Sequence, residues 1–298
     1  MPLEEREEKW PYVDHILRHY GEPTAALWNQ YTDFANVAWV CGKFEQSIRA
    51  ATALYAFTLK TFGSAGFKPC FAARAVAGAY FNAGDDQSAK PYYLQALEHM
   101  LQAPEEDYIE LGIIYQKVGR CAYSDRDFER SLACLNASLE AFEKAKTHSA
   151  TKDRMHVNTP GDTYVDFGRL YMAMGDYQTA LKYCQQSYDL FYSWKNCEIT
   201  SNAYSLSDMG ICYSYLGEYE LAEQYLTRAL DLNKRFNGEC SMVTMRTREA
   251  IADNLFRKGD TQTANSAYMM LELDAEKFFG EGCSFALRMH KKRNSNAA

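Results

Sequence analysis

Two stretches of this chain carry the same pattern 42 residues apart. DFGRLYMAMGDYQTALKYCQQSYDL (166–190) and DMGICYSYLGEYELAEQYLTRALDL (208–232) align without a gap. Gly168 pairs with Gly210, Tyr171 with Tyr213, Gly175 with Gly217, Tyr177 with Tyr219 and Ala180 with Ala222. A copied unit of this size cannot bury its apolar face alone, so it folds only by stacking on its neighbours. Within the first copy, Phe167, Leu170, Tyr171 and Met174 fall at i, i+3, i+4 and i+7, one face of a helix. Gly175 and Asp176 then end that helix and cap the next. The period resumes with Tyr177, Ala180, Leu181, Cys184 and Tyr188. A glycine inside a helix costs about 1 kcal/mol against alanine, so its recurrence at Gly168 and Gly210 points to close backbone packing. The unit is therefore an antiparallel helical hairpin, with Gly210 and Ala222 in tight contact.

The same frame extends over the rest of the chain. The turn-aligned positions Gly42, Gly84 and Arg126 are again 42 apart, while the step from Arg126 to Gly175 is 49. The excess falls in THSATKDRMHVNTPG (147–161), the polar, Pro/Gly-containing stretch of the interior. It reads as the most mobile interior segment, either a hinge or two further helical turns, with Pro160 suited to the first turn of the next helix. The frame gives an N-terminal capping helix (1–22), three hairpins (23–147), a connector (148–161), three hairpins (162–280), and a C-terminal capping helix with a basic tail (281–298). About 13 to 14 helices and no sheet follow from that count. Pro91 sits inside the second helix of the second hairpin, which should begin late or bend.

The pattern carried by Met209, Gly210, Tyr213, Gly217, Tyr219, Ala222, Leu226 and Ala229 resembles the tetratricopeptide repeat. That repeat is usually about 34 residues; a 42-residue step is similar to the kinesin light chain type. The resemblance implies an all-α, right-handed α-solenoid of six hairpins with a capping helix at each end. It also implies that the first helix of each hairpin lines a concave groove. On that frame the groove includes Asn36, Trp39, Arg74, Phe81, Asn82, Lys117, Arg120, Tyr123, Arg169, Tyr204 and Asp208, with Tyr215, Glu249, Asp253 and Arg257 further along.

The function the resemblance implies is a non-catalytic scaffold that binds a protein or peptide segment in this groove. The alternative is a signalling receptor whose curvature changes on binding a short peptide. Arg74, Lys117, Arg120 and Arg169 fall along one inner strip with Phe81 and Tyr123 among them, so the expected segment is acidic or C-terminal. Asp162 and Asp166 offer an internal counter-charge to Arg169. Arg257, at the far end, is expected to add little to that strip. The family's carboxylate clamp for chaperone tails wants polar or basic groups where Ala75 and Ile113 stand, so a chaperone-tail receptor is not expected.

Composition narrows the alternatives. A formal charge of −7 disfavours nucleic acid and anionic membranes as general partners. No stretch approaches the roughly 18 apolar residues of a membrane span, and the acidic start lacks a signal peptide's apolar core. Nine cysteines without a C-x-x-C pair read as reduced core thiols in a cytoplasmic protein. His15 and His19 lie one helical turn apart with no third ligand in sight, so no metal is expected. Glycine-rich phosphate loops and kinase patterns are absent, and nothing sets a Cys/His pair beside an oxyanion hole. No cofactor and no enzyme activity are expected. The basic run 288–293 reads as a solvated helix end.

Overall fold

A residue in the left-handed conformation followed by an acidic residue makes the hairpin turns at 126–127, 175–176, 217–218 and 259–260. The computed structural model describes residues 44–83, 85–104, 107–149, 151–153, 160–195 and 198–295. Gly175, Gly217 and Gly259 take φ of 82°, 85° and 96° at their turns, and Arg126 takes φ 61° at the equivalent place. Where the next residue is an aspartate it caps the following helix: Asp176 accepts from the Thr179 N–H at 3.0 Å and Asp260 from the Thr263 N–H at 3.1 Å. Asp127 does the same for Arg130 at 3.1 Å. Accepting the Thr179 N–H holds the Asp176 carboxyl below its ordinary value.

Twelve helices lie among the described residues, and no strand does. They are α1 (Phe44–Phe62), α2 (Phe67–Asn82), α3 (Asp86–Leu101), α4 (Tyr108–Ser124), α5 (Phe128–Thr147) and α6 (Gly161–Ala173). The series continues with α7 (Tyr177–Lys195), α8 (Thr200–Tyr215), α9 (Tyr219–Asn237), α10 (Met242–Lys258), α11 (Thr261–Phe279) and α12 (Ser284–Ser295). The chain forms two compact units, residues 1–155 and 156–298. In the first, α1 packs on the hairpin α2–α3, which packs on α4–α5. In the second, the hairpins α6–α7, α8–α9 and α10–α11 stack in order, their first helices also touch, and α12 closes on α11.

The small residues of the repeat mark where paired helices approach. A Cβ built on Gly210 would stand 2.6 Å from Leu226 Cγ and 3.2 Å from the Ala222 carbonyl oxygen. Ala222 and Leu226 are fully buried. A Cβ at Gly168 would meet Cys184 Sγ at 2.7 Å in the preceding hairpin. Burying a leucine such as Leu226 contributes roughly 2 kcal/mol, which a distant pairing would forfeit. Cys184 and Cys212 lie in this core, and the cysteines of the described residues are free thiols.

Of the two alternatives for the helix that contains Pro91, the late start does not hold. α3 begins at Asp86 rather than late, with Pro91 inside it. Asp85 fixes that start by accepting from the Ser88 N–H at 3.0 Å, and a proline this near the N-terminus forfeits only one backbone hydrogen bond. The N-terminal capping helix, the turn at Gly42 and the histidines at 15 and 19 lie outside the described residues.

Candidate functional site

The first unit holds an open cleft of about 390 Å³ where the end of α2 and the start of α3 meet the last turns of α4. Phe81, Lys117, Arg120 and Ser124 line it, with Asp86, Gln87 and Tyr93 opposite. The Arg120 guanidinium lies 5.4 Å from the Phe81 ring centroid, within range of a cation–π attraction. Lys90 and Asp125, also on its wall, form an ion pair. The cleft is thus mixed in charge, with the aromatic rings of Phe81 and Tyr93 in its wall. Tyr123 turns aside and tilts against Phe128 at 6.2 Å.

Two arginines of the expected strip are satisfied within the chain. Arg74 grips Glu110 through Nε at 2.5 Å and Nη2 at 3.4 Å. Glu110 is buried in the first turn of α4, and Cys70 Sγ stands 3.9 Å from the same oxygen. Burial, reinforced by the Glu110 charge, raises the Cys70 pKa. In the second unit, Arg169 Nε donates to Asp208 Oδ2 at 3.1 Å, and its guanidinium stands 6.0 Å from the Tyr204 ring centroid. Burial pushes the Asp208 carboxyl above its ordinary value while Arg169 pulls it back. Asp208 in turn holds the guanidinium charged. The counter-ion of Arg169 is therefore Asp208 on the next first helix. Asp166, on its own helix, is buried beside the pair and adds a lesser attraction.

The end of the second unit is closed by charge. Arg288 on α12 donates to both oxygens of Glu249 at 3.1 and 2.7 Å, and Lys292 reaches Glu249 at 2.8 Å and Asp253 at 2.6 Å. Phe285, Ala286 and Met289 of the same helix are buried against Met245, Tyr268 and Leu271. The basic run expected to be a solvated helix end is therefore part of the packing, and it covers Glu249 and Asp253.

A helical hairpin repeated on a fixed step, with glycine or its left-handed substitute at the turn and a small-residue seam, is the hallmark that the family match confirms. Residues 70–144, 161–235 and 200–270 match the tetratricopeptide repeat. The chain belongs to the tetratricopeptide-repeat family. No curated protein sequence matches it. Among solved structures, this tetratricopeptide-repeat chain is similar to a putative kinesin light chain with nearly identical TPR-like repeats from Podosopora anserina. That likeness has 14% identity and a TM-score of 0.50, over 70% of this chain and 95% of the other. It is also similar to a Rap protein complexed with competence and sporulation factor (14% identity, TM-score 0.64, over 96% of this chain and 81% of that one). A third likeness, to the APC/C hetero-tetramer Cut9-Hcn1, has 14% identity and a TM-score of 0.66, over 97% of this chain and 46% of the other. At such identities the likeness is one of fold.

Within this repeat array, the structure brings Phe81, Lys117 and Arg120 together at one cleft and Arg169, Tyr204 and Asp208 together at another place. Arg74 belongs to an internal ion pair, and Asn82 ends α2. Asn36 and Trp39 lie outside the described residues. The reading of the sequence missed Glu110 as the partner of Arg74. It treated Arg169 and Asp208 as separate groove positions, although both lie on first helices one repeat apart. Among the described residues no group of three His, Cys, Asp or Glu side chains could hold a metal. No described helix is long and apolar enough to cross a membrane.

Proposed function

We propose that this chain is a non-catalytic scaffold whose first-helix faces bind a segment of another protein, and that the α2–α3–α4 cleft is one contact. The observation that carries this reading is the cleft itself, which sets Phe81 beside Arg120 and Lys117 on an open surface. Arginine, with tryptophan and tyrosine, is enriched among the residues that dominate binding energy at protein interfaces, and phenylalanine is enriched at interfaces generally. An acidic or C-terminal preference for that segment now rests on fewer cations, because Arg74 and Arg169 are internally paired. We therefore place the selectivity in an apolar or aromatic anchor against Phe81, flanked by polar groups of either sign. The unpaired thiols suit a reducing compartment, and we place the protein in the cytoplasm.

The likeness to a Rap protein complexed with competence and sporulation factor favours a second reading, a receptor that responds to its ligand. Both readings are tested by selecting binders from a random peptide library on the immobilised protein. Phe81→Ala and Arg120→Glu are each expected to weaken the selected peptides about tenfold or more, while Lys146→Glu, at an exposed position of α5, leaves them unchanged. Peptides that bind all three variants alike would move the contact off this cleft. A change in scattering profile on peptide addition would favour the receptor, and an unchanged profile the scaffold.

A further inference from the structure

Arg257, at the end of α10, pairs with no carboxylate among the described residues. Arg74, Arg169 and Arg288 each hold a carboxylate. Arg257 instead lies on a stack of two rings. Its guanidinium carbon is 3.8 Å from the Tyr215 ring centroid, and Tyr215 is parallel to Tyr177 at 4.5 Å and 7°. Both are face contacts, and they are too close to share one face. The Tyr215 ring is thus held between Tyr177 and the guanidinium. Arg257 Nη1 donates to Ser214 Oγ at 3.3 Å. The acidic residue one turn back, Asp253, is occupied by Lys292 at 2.6 and 2.7 Å and by the Tyr268 hydroxyl at 2.6 Å. Tyr215 is 49% exposed, so the stack stands at the surface.

A guanidinium lying flat on an aromatic ring keeps its N–H edge in its own plane, directed away from the ring. Stacking fixes the arginine rotamer in advance, so less ordering cost remains to oppose binding. A carboxylate presents two coplanar oxygens that match this edge with two charge-assisted hydrogen bonds. A phosphate dianion would call for more than the single positive charge gathered here.

We propose that Arg257, stacked on Tyr215 and Tyr177, is a carboxylate-binding site for a partner chain. The in-plane N–H groups of Arg257 donate to the two oxygens, and Ser214 holds the guanidinium in register. The exposed edge of Tyr215 contacts the chain that adjoins the carboxylate. This site lies in the second unit and stands or falls independently of the α2–α3–α4 cleft.

The test is a titration of uniformly nitrogen-15-labelled protein at low salt, read on the Arg257 Nε–Hε resonance, which is assigned by its loss in Arg257→Lys. The probes are acetyl-Gly-Gly as the free acid, acetyl-Gly-Gly amide, acetyl-aspartate amide and inorganic phosphate. A saturable shift is expected with the free acid or the aspartate derivative, and none with the uncharged amide. The tighter of the two carboxylates identifies a chain terminus or an acidic side chain as the source. Arg257→Lys keeps the charge but not the fork, and is expected to weaken binding about tenfold when read on the Ser214 amide. Its unchanged thermal midpoint would show that the stack's role in folding is not what was lost. Shifts of equal size with the uncharged amide, no shift with either carboxylate, or tighter binding of phosphate would overturn the proposal.

Discussion

Arg169 donates to Asp208 across 39 residues, and the same interval joins Glu249 to Arg288 and Asp253 to Lys292. The interval is three residues short of the 42-residue repeat. A residue on one first helix therefore meets its partner about one turn nearer the N-terminus of the next first helix. Both sign orders occur, cation first at Arg169 and anion first at Glu249. In the second unit the stacking repeats this interval and each interface chooses the polarity, whereas Arg74 and Glu110 in the first unit are 36 residues apart. Charge on the first-helix faces is thus largely committed to holding neighbouring repeats together.

Removing Arg169 leaves the Asp208 carboxylate buried and alone. Arg169→Ala is expected to destabilise the protein by about 1 to 2 kcal/mol at neutral pH, a figure discounted because the arginine is partly exposed. Burial already raises the Asp208 pKa in the folded state, and losing Arg169 raises it further. The folded state then takes up a proton before the unfolded state does, so its stability increases as pH falls through that raised pKa toward the ordinary carboxylate value. The deficit between variant and wild type should shrink on acidification. Urea midpoints at neutral and mildly acidic pH check this, and a deficit independent of pH would show that the pair's charge is not what was lost.

Arg126 occupies the turn position that is glycine in the three hairpins that follow, at φ 61°. A side chain in the left-handed region costs roughly 1 kcal/mol or more. Arg126→Gly is expected to stabilise the first unit by a few tenths of a kcal/mol up to about 1 kcal/mol after the extra freedom of the unfolded glycine is subtracted. A lower thermal midpoint in this variant would mean that the arginine side chain contributes a contact worth more than the strain.

The hairpins were legible because their signals are local. The Gly-Asp turns at 175–176 and 259–260 and the glycine seam at 168 and 210 are sequence patterns with one physical meaning each, and the structure places them where that meaning requires. A second seam was equally visible and went unread. Gly112 and Gly161 are 49 apart, the step of the long connector, and each faces a phenylalanine, Phe142 and Phe191, on its own hairpin's second helix. The charge of the candidate site was harder to read. Frame positions alone put Arg74 and Arg169 on an inner face, but whether a cation there is free depends on which neighbouring repeat supplies an acid one turn away. The basic run of α12 misled for the same reason, since its partners Glu249 and Asp253 lie 39 residues earlier.

Two glycines within helices should respond to alanine with opposite signs. At Gly210 a Cβ would collide with Leu226 Cγ at 2.6 Å, and the rigid Ala222 carbonyl at 3.2 Å limits relief. Overpacking of that kind costs about 1 to 3 kcal/mol, more than the gain of about 1 kcal/mol in helix propensity. At Gly78 a Cβ would meet nothing within 4 Å, so only the propensity gain remains. Gly210→Ala should lower the denaturation midpoint and Gly78→Ala should raise it. Shifts of the same sign would mean that the seam is looser than its distances imply.

The docking of α12 should depend on pH through Glu249. Burial alone would raise its carboxyl, but hydrogen bonds from Arg288 and Lys292, with their charges, hold it below the ordinary glutamate value. A folded-state pKa below the unfolded one gives stability that is fully present above the unfolded value, near 4.5, and is lost as pH falls through the folded value. Asp253 and Glu272 also face Lys292 and Arg293 across the same contact. Phe285, Ala286 and Met289 hold the helix by apolar burial that does not itself titrate, so the helix should loosen before the unit unfolds. Amide exchange in 284–295 is therefore expected to accelerate on acidification ahead of exchange in α8 and α9. Glu249→Gln should already show faster exchange at neutral pH and a weaker dependence on acid. If α12 and α9 instead lose protection together, the charged contact does not set the stability of the cap.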